Sequence, residues 1–132
     1  MKVTGLDNKA YSLNLKGKPP RKSVSAGHLA AREFLKERYG FDTILEEIHL
    51  PGCVGSLFVD FLLPNRRLAV EVQGQQHRVY VAHFHLSPQG FLQQKRRDAV
   101  KRQWCETNGF TLVELPDDRI AEWPEIFRGE TT

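Results

Sequence analysis

The sequence predicts a mixed α/β (α+β) fold in the order helix, three-strand meander, helix, strand. Two apolar-alternating runs, Ser56–Leu63 and Arg67–Gln73, are separated only by Pro64-Asn65-Arg66 and read as an antiparallel hairpin. Stretches with helical periodicity flank them, from Ser25 to about Tyr39 and from Phe91 to about Asn108, and each stops at a glycine, Gly40 or Gly109.

Taken in order, residues 1–23 read as a basic arm interrupted by Gly5, Gly17 and Pro19-Pro20, with Tyr11–Leu15 alternating as a short edge strand. Ser25 is placed to cap the first helix, and Ala30, Ala31, Phe34 and Leu35 give it a buried face. Thr43–Leu50 is the first strand of the meander; Pro51-Gly52 and Gly55 then turn the chain. Gly74 ends the hairpin, and Gln75–Gly90 is polar and aromatic without a clear period. Phe110–Leu115 is the last strand, giving a sheet of about four. The core spans 24–115. The tail, 116–132, packs on it with a short helix around Ile120–Phe127; Trp104 reads as core packing, and Trp123 in the tail is placed to cap the core.

A chain of 132 residues fits one domain with a real core, and 40% hydrophobic content is ordinary for one. Its two cysteines, Cys53 and Cys105, stand in no paired motif, which argues against a disulfide scaffold and fits a reducing cytosol. No apolar run approaches the roughly 20 residues of a membrane span. The net charge of +3 is small, but it is concentrated. Lys2, Lys9, Lys16, Lys18, Arg21 and Lys22 face only Asp7 in the arm, and Lys95, Arg96, Arg97, Lys101 and Arg102 surround Asp98. Such patches suit a phosphate polymer.

Chemistry concentrates in the hairpin. Side chains alternate along a strand, so Leu57, Val59, Phe61 and Leu63 are expected on one face and Phe58, Asp60 and Leu62 on the other. In the second strand Leu68, Val70 and Val72 oppose Ala69, Glu71 and Gln73. A two-residue loop at Asn65-Arg66 and a four-residue loop over Pro64–Arg67 give the same register, with Asp60 opposite Glu71. Two like charges about 4 Å apart repel by about 1 kcal/mol in water and about 4 kcal/mol at an effective dielectric near 20. A shared proton, a neighbouring cation side chain or a divalent ion relieves that repulsion. A hard ion such as Mg²⁺ (or Mn²⁺) takes a couple of carboxylates and a backbone carbonyl, here that of Val72.

Val59-Asp60-Phe61 followed by Leu68-Ala69-Val70-Glu71-Val72-Gln73-Gly74-Gln75-Gln76-His77 resembles the PD-(D/E)xK nuclease superfamily, and within it the very-short-patch-repair, EDxHD-type branch. The resemblance runs from about Ala26 to Leu115 and implies a restriction-endonuclease-like core and a Mg²⁺-dependent DNA endonuclease of nicking, repair or recombination type. It assigns Asp60 as principal metal ligand and Glu71 as second ligand or holder of the ion's water. His77 becomes general base or donor to the scissile phosphate. Glu33 matches the family's helix glutamate, and Asp98 and Lys101 match polar residues of the later helix. Gln73 stands where the superfamily has its strand lysine, and Lys101 is placed to replace that lysine. Lys16, Lys18, Arg21, Lys22, His83, His85, Lys95, Arg96, Arg97 and Arg102 are then expected to contact DNA. Little room remains for a sequence-reading domain, so cutting is expected to be structure-dependent or weakly sequence-specific. A homodimer would let two sites act on both strands. The expected setting is cytoplasmic and nucleoid-associated, in a prokaryotic or phage-infected cell.

Two other classes compete. A DNA-binding module that keeps the fold without catalysis is supported by Gln73 and the basic arm. A zinc-stabilised interaction domain rests on His83, His85 and His77 with Cys105 or Cys53, residue types that zinc prefers.

Overall fold

The computed structural model describes residues 1–16, 19–22, 24–74 and 87–131. Of the sequence-predicted site residues, Lys18, His77, His83 and His85 lie outside the described residues.

A small antiparallel hairpin opens the chain, β1 (Lys2–Thr4) against β2 (Ala10–Ser12). Then come α1 (Ala26–Arg38), β3 (Leu45–His49), β4 (Phe58–Leu63), β5 (Leu68–Gln73), α2 (Pro88–Thr107), β6 (Thr111–Pro116) and α3 (Trp123–Thr131). Strands β3 to β6 lie in sequence order in one sheet; β3–β4–β5 is an antiparallel meander, and β6 runs parallel to β5. A parallel neighbour requires a crossover, which the segment containing α2 provides. The expected order of helix, meander, helix and strand is therefore the observed one.

Local chemistry explains the boundaries. The Ser25 side chain accepts the His28 N–H at 3.1 Å and caps α1 as expected. α2 begins at Pro88 rather than Phe91, because Ser87 caps it onto the Gly90 N–H and proline fits the first helical turn. Pro64–Arg66 forms a 3₁₀ turn closed by Arg67 in the left-handed region at φ 51°, so the hairpin uses the four-residue loop. The resulting register pairs Leu63 with Leu68, Leu62 with Ala69 and Phe61 with Val70.

Each face of the sheet carries a core. On one side Ala31 and Leu35 of α1, with Trp123 and Phe127 of α3, pack on Phe61, Leu63, Leu68, Val70, Val113 and Leu115. On the other, Trp104 and Cys105 of α2 join Val3 and Leu13 of the N-terminal segment over Ile48, Val59, Leu62 and Ala69. Both tryptophans are buried and satisfied, Trp104 donating to the Pro51 carbonyl at 2.9 Å and Trp123 to that of Pro116 at 2.8 Å.

The first thirteen residues form part of the second core. Asn108, at the end of α2, accepts the Thr4 N–H at 2.7 Å and donates to the Thr4 carbonyl at 2.9 Å. Gly52, at φ 83°, sits so close to Gly5 that a β-carbon on either would collide with the other's backbone. The Leu6 N–H donates to the Gly52 carbonyl at 3.0 Å.

One expected face assignment fails. Val59 belongs with Phe61 by strict alternation, yet Val59 packs in the α2-side core and Phe61 in the α1-side core. Across the ladder Glu47 has φ 53°, and the residues it separates, Glu46 and Ile48, are likewise turned to different sides. The left-handed residue twists the strand pair at the Glu47–Asp60 level, and alternation resumes from Phe61 onward.

Candidate active site

The twist sits at the position where two carboxylates meet. Continuing the observed hairpin register one step beyond Phe61 and Val70 sets Asp60 beside Glu71. Here side chains take over from the ladder. Asp60 Oδ2 accepts the Val72 N–H at 2.8 Å, and Glu71 Oε2 accepts the Asp60 N–H at 3.3 Å. Each acid is thus oriented by a backbone donor belonging to the other strand.

Lys101 completes the group. Its Nζ donates to Glu71 Oε1 at 2.5 Å, from a helix position thirty residues further along the chain. Both side chains are largely enclosed. Burial, then the charge of Asp60 and a carboxyl–carboxylate hydrogen bond to it, push the Glu71 carboxyl up to about 8, while Lys101 pulls in the opposite direction. Nearby Cys105 is pushed up to about 12 by burial first and by Glu71 second, which makes it an inert packing thiol.

Asp98 is buried one helical turn before Lys101, on the same inward stripe of α2 as Gln94 and Cys105. Gln73 follows Glu71 on the same face of β5 and is half-buried. Asp60 and Glu71 therefore meet as the hairpin register predicts, and Lys101 joins them where the resemblance implies it, with Asp98 and Gln73 on the adjoining surfaces. Val72 enters through its N–H, whereas the expectation concerned its carbonyl.

Glu33 does not join this group. It is exposed on α1, and no described contact connects it to Asp60 or Glu71. The inward-facing polar residues of α1 are His28 and Arg32, four apart and so on one helix face. Glu46 accepts from both, from His28 Nε2 at 2.7 Å and from Arg32 in two-pronged fashion at 2.8 and 2.9 Å. Burial pushes the Glu46 carboxyl up, but the Arg32 and His28 bonds outweigh it and hold it below its ordinary range. The i,i+4 spacing of His28 and Arg32 was the available sequence signal for this cluster.

The basic residues divide. Arg21 binds Glu47 through both its Nε, at 2.8 Å, and its Nη2, and its own carbonyl accepts from Arg32 at 2.9 Å. Arg102 is tied to Glu114 at 2.9 Å, and Glu114 is the register partner of Glu71. Successive residues Lys101 and Arg102 thus bridge α2 to adjacent strands. Lys16, Lys22, Arg96 and Arg97 are exposed, and Lys95 is half-buried with its ammonium 5.5 Å from the Phe91 ring centre. Beside Asp60 opens a cavity of about 340 Å³ lined by Arg21, Glu47, Phe58 and Asp60. Sequence reasoning missed Glu47 and Phe58, since neither belongs to a motif.

For a metal, the donor set is Asp60 with Glu71, two hard carboxylate ligands side by side on adjacent strands, and it fits a divalent oxygen-seeking ion. Among the described residues no group of three or more His, Cys, Asp or Glu side chains is arranged to hold a metal, and both cysteines are free.

No family model matches the chain, and no solved structure matches it. The relatives that match are proteins of invertebrate and frog viruses, which overturns the expected prokaryotic or phage-infected, nucleoid-associated setting. Uncharacterized protein 307L of Invertebrate iridescent virus 6 is 39% identical over 61 residues, and uncharacterized protein 033L of Invertebrate iridescent virus 3 is 36% identical over 61 residues. Those matches cover 46% of this chain and 31% of each relative, so the chain spans about a third of their length. No described helix is long and apolar enough to cross a membrane. Uncharacterized protein 094L of Frog virus 3 (isolate Goorha) is 33% identical over 104 residues, covering 76% of this chain and 67% of the relative. The chain belongs to one family of homologous proteins with protein 094L of Frog virus 3.

Proposed function

We propose that this chain is a divalent-metal-dependent DNA endonuclease on a restriction-endonuclease-like core, with Asp60, Glu71 and Lys101 at its active centre. The observation that carries this reading is the convergence of those three side chains from β4, β5 and α2, with Lys101 supplying the cation that Gln73 does not. Mg²⁺ or Mn²⁺ would be held by Asp60 and Glu71, displacing the proton that burial favours on Glu71. Bound there, the ion would polarise a phosphoryl oxygen and make water a better nucleophile.

The chain's own groups do the rest. The Val72 and Asp60 N–H groups fix the two carboxylates, and Lys101 holds positive charge where the phosphate gains negative charge. His77 is assigned the proton transfer, since an imidazole titrates near pH ~6.5. Exposed Arg96, Arg97, Lys16 and Lys22 provide phosphate contacts.

The test is a cleavage panel of duplex, single-stranded, mismatched and branched DNA with Mg²⁺ or Mn²⁺. Asp60→Asn and Glu71→Gln are each expected to lower cleavage by about a hundredfold or more while the fold is retained. Full activity in either folded variant refutes the assignment. A non-catalytic DNA-binding module, the reading that Gln73 favours, would bind every substrate and cleave none.

A further inference from the structure

Phe58 is 47% exposed, although it lies in a strand whose remaining aromatic and aliphatic residues are buried. It is two residues from Asp60 and lines the same cavity, with the His49 ring edge-on at 5.3 Å between ring centres. A cavity of about 340 Å³ lies at the small end of the roughly 300–1,000 Å³ of small-molecule sites, which suits one nucleotide and not a double helix.

Its lining is also chemically mixed in a suitable way. The Phe58 ring offers a flat apolar face, and the Arg21 guanidinium stands at the rim. The Glu47 carboxylate accepts from Arg21 on both oxygens and keeps lone pairs for a base amino group. Arg21 is fixed on Glu47, and its backbone is held by Arg32, so the rim is ordered before any ligand arrives. Glu47 holds its place with φ 53°, a conformation that costs a non-glycine residue free energy and that accumulates at functional sites.

We propose that this cavity is a subsite for one unpaired DNA nucleotide, whose base stacks on Phe58 and whose flanking phosphate reaches the Asp60–Glu71–Lys101 centre. A base inside an intact duplex is stacked on both faces and has its amino edge paired, so it has neither surface to offer. The substrate class that follows is DNA with an unpaired nucleotide at the cut: a flap, a bulge, a mismatch or a single strand. The inference rests on the nuclease reading for the cut itself, whereas stacking is measured without cleavage.

An oligonucleotide with 2-aminopurine at a single unpaired position is titrated with the full chain in EDTA, and the same DNA is cleaved in Mg²⁺. Fluorescence quenching by the native chain is expected. Phe58→Leu, which keeps apolar volume without a π face, is expected to lose the quench and about tenfold of affinity for the bulged DNA, and Phe58→Trp to restore both. Unchanged quenching in Phe58→Leu, or the same quench for fully paired DNA, overturns the subsite. Cleavage without a Phe58-dependent quench leaves the nuclease reading standing and removes this inference. A Phe58-dependent quench without cleavage by any metal does the reverse.

Discussion

Lys101 reaches Glu71 from the middle of a helix, Nζ to Oε1 at 2.5 Å, while the strand position two residues after Glu71 is occupied by the uncharged Gln73. The site has its cation, but from a different element than the resemblance prescribes. A lysine ammonium is a compact charge on a long flexible stem, so the same point in space is reachable from two backbone positions.

That relationship predicts an exchange. Lys101→Met is expected to reduce cleavage by about a hundredfold, and adding Gln73→Lys in the same chain to recover most of the loss. Steady-state rates on a single cleaved oligonucleotide check it. Gln73→Lys that leaves Lys101→Met inert would show that Lys101 acts as a structural tie between α2 and β5.

Proton linkage gives a second expectation. The Glu71 carboxyl rises from 4.5 to about 8 on folding, so the folded state binds its proton more tightly than the unfolded chain. Its contribution is most favourable below pH 4.5, weakens as the pH climbs toward 8, and is level above that. Without metal, the thermal midpoint of the native chain is expected to decline across that window relative to Glu71→Gln. At the proposed metal site Mg²⁺ would have to displace the Glu71 proton, so its affinity is expected to rise by up to about tenfold per pH unit below 8. Calorimetric titrations at pH 6, 7 and 8 decide it; a flat affinity contradicts proton displacement.

The buried Glu46 cluster behaves in the opposite sense. Its carboxyl lies below the ordinary range because Arg32 and His28 outweigh burial, so its stabilisation is present above about pH 4.5 and is lost as acid protonates it. Glu46→Gln removes the charge and strands Arg32, at a cost of about 3–5 kcal/mol in urea unfolding at neutral pH. Arg21 depends on Arg32 for its backbone position, so the variant should also blunt the Phe58-dependent quench. A variant as stable as the native chain would mean that Arg32 finds another partner.

Much of this was readable in advance where a short-range rule governed. The hairpin register followed from a loop of either two or four residues together with an apolar period of two, and it set Asp60 opposite Glu71. Lys101 came from the resemblance, which matches it and Asp98 to polar residues of the later helix; their spacing of three placed them on one face but did not say that the face turns inward. The path of Val59 was not legible. It depends on a left-handed φ at Glu47, a residue type that gives no sign of adopting one. Strand β1 was missed because three residues carry too little period to register, and its placement comes from Asn108, over a hundred residues away. Glu33 was drawn from the resemblance, whereas packing turned His28 and Arg32 inward instead.

The clasp between Gly5 and Gly52 changes what the basic N-terminus is. A loose tail gives up about 1–2 kcal/mol of backbone entropy per residue each time it settles on a polyanion. Lys2 and Lys9 ride instead on a hairpin already fastened to the core, so their charges meet any phosphate chain at a fixed separation and without that loss. A polyanion docking at this end would meet a spacing of charge set by the fold, a rigid ruler rather than a searching line.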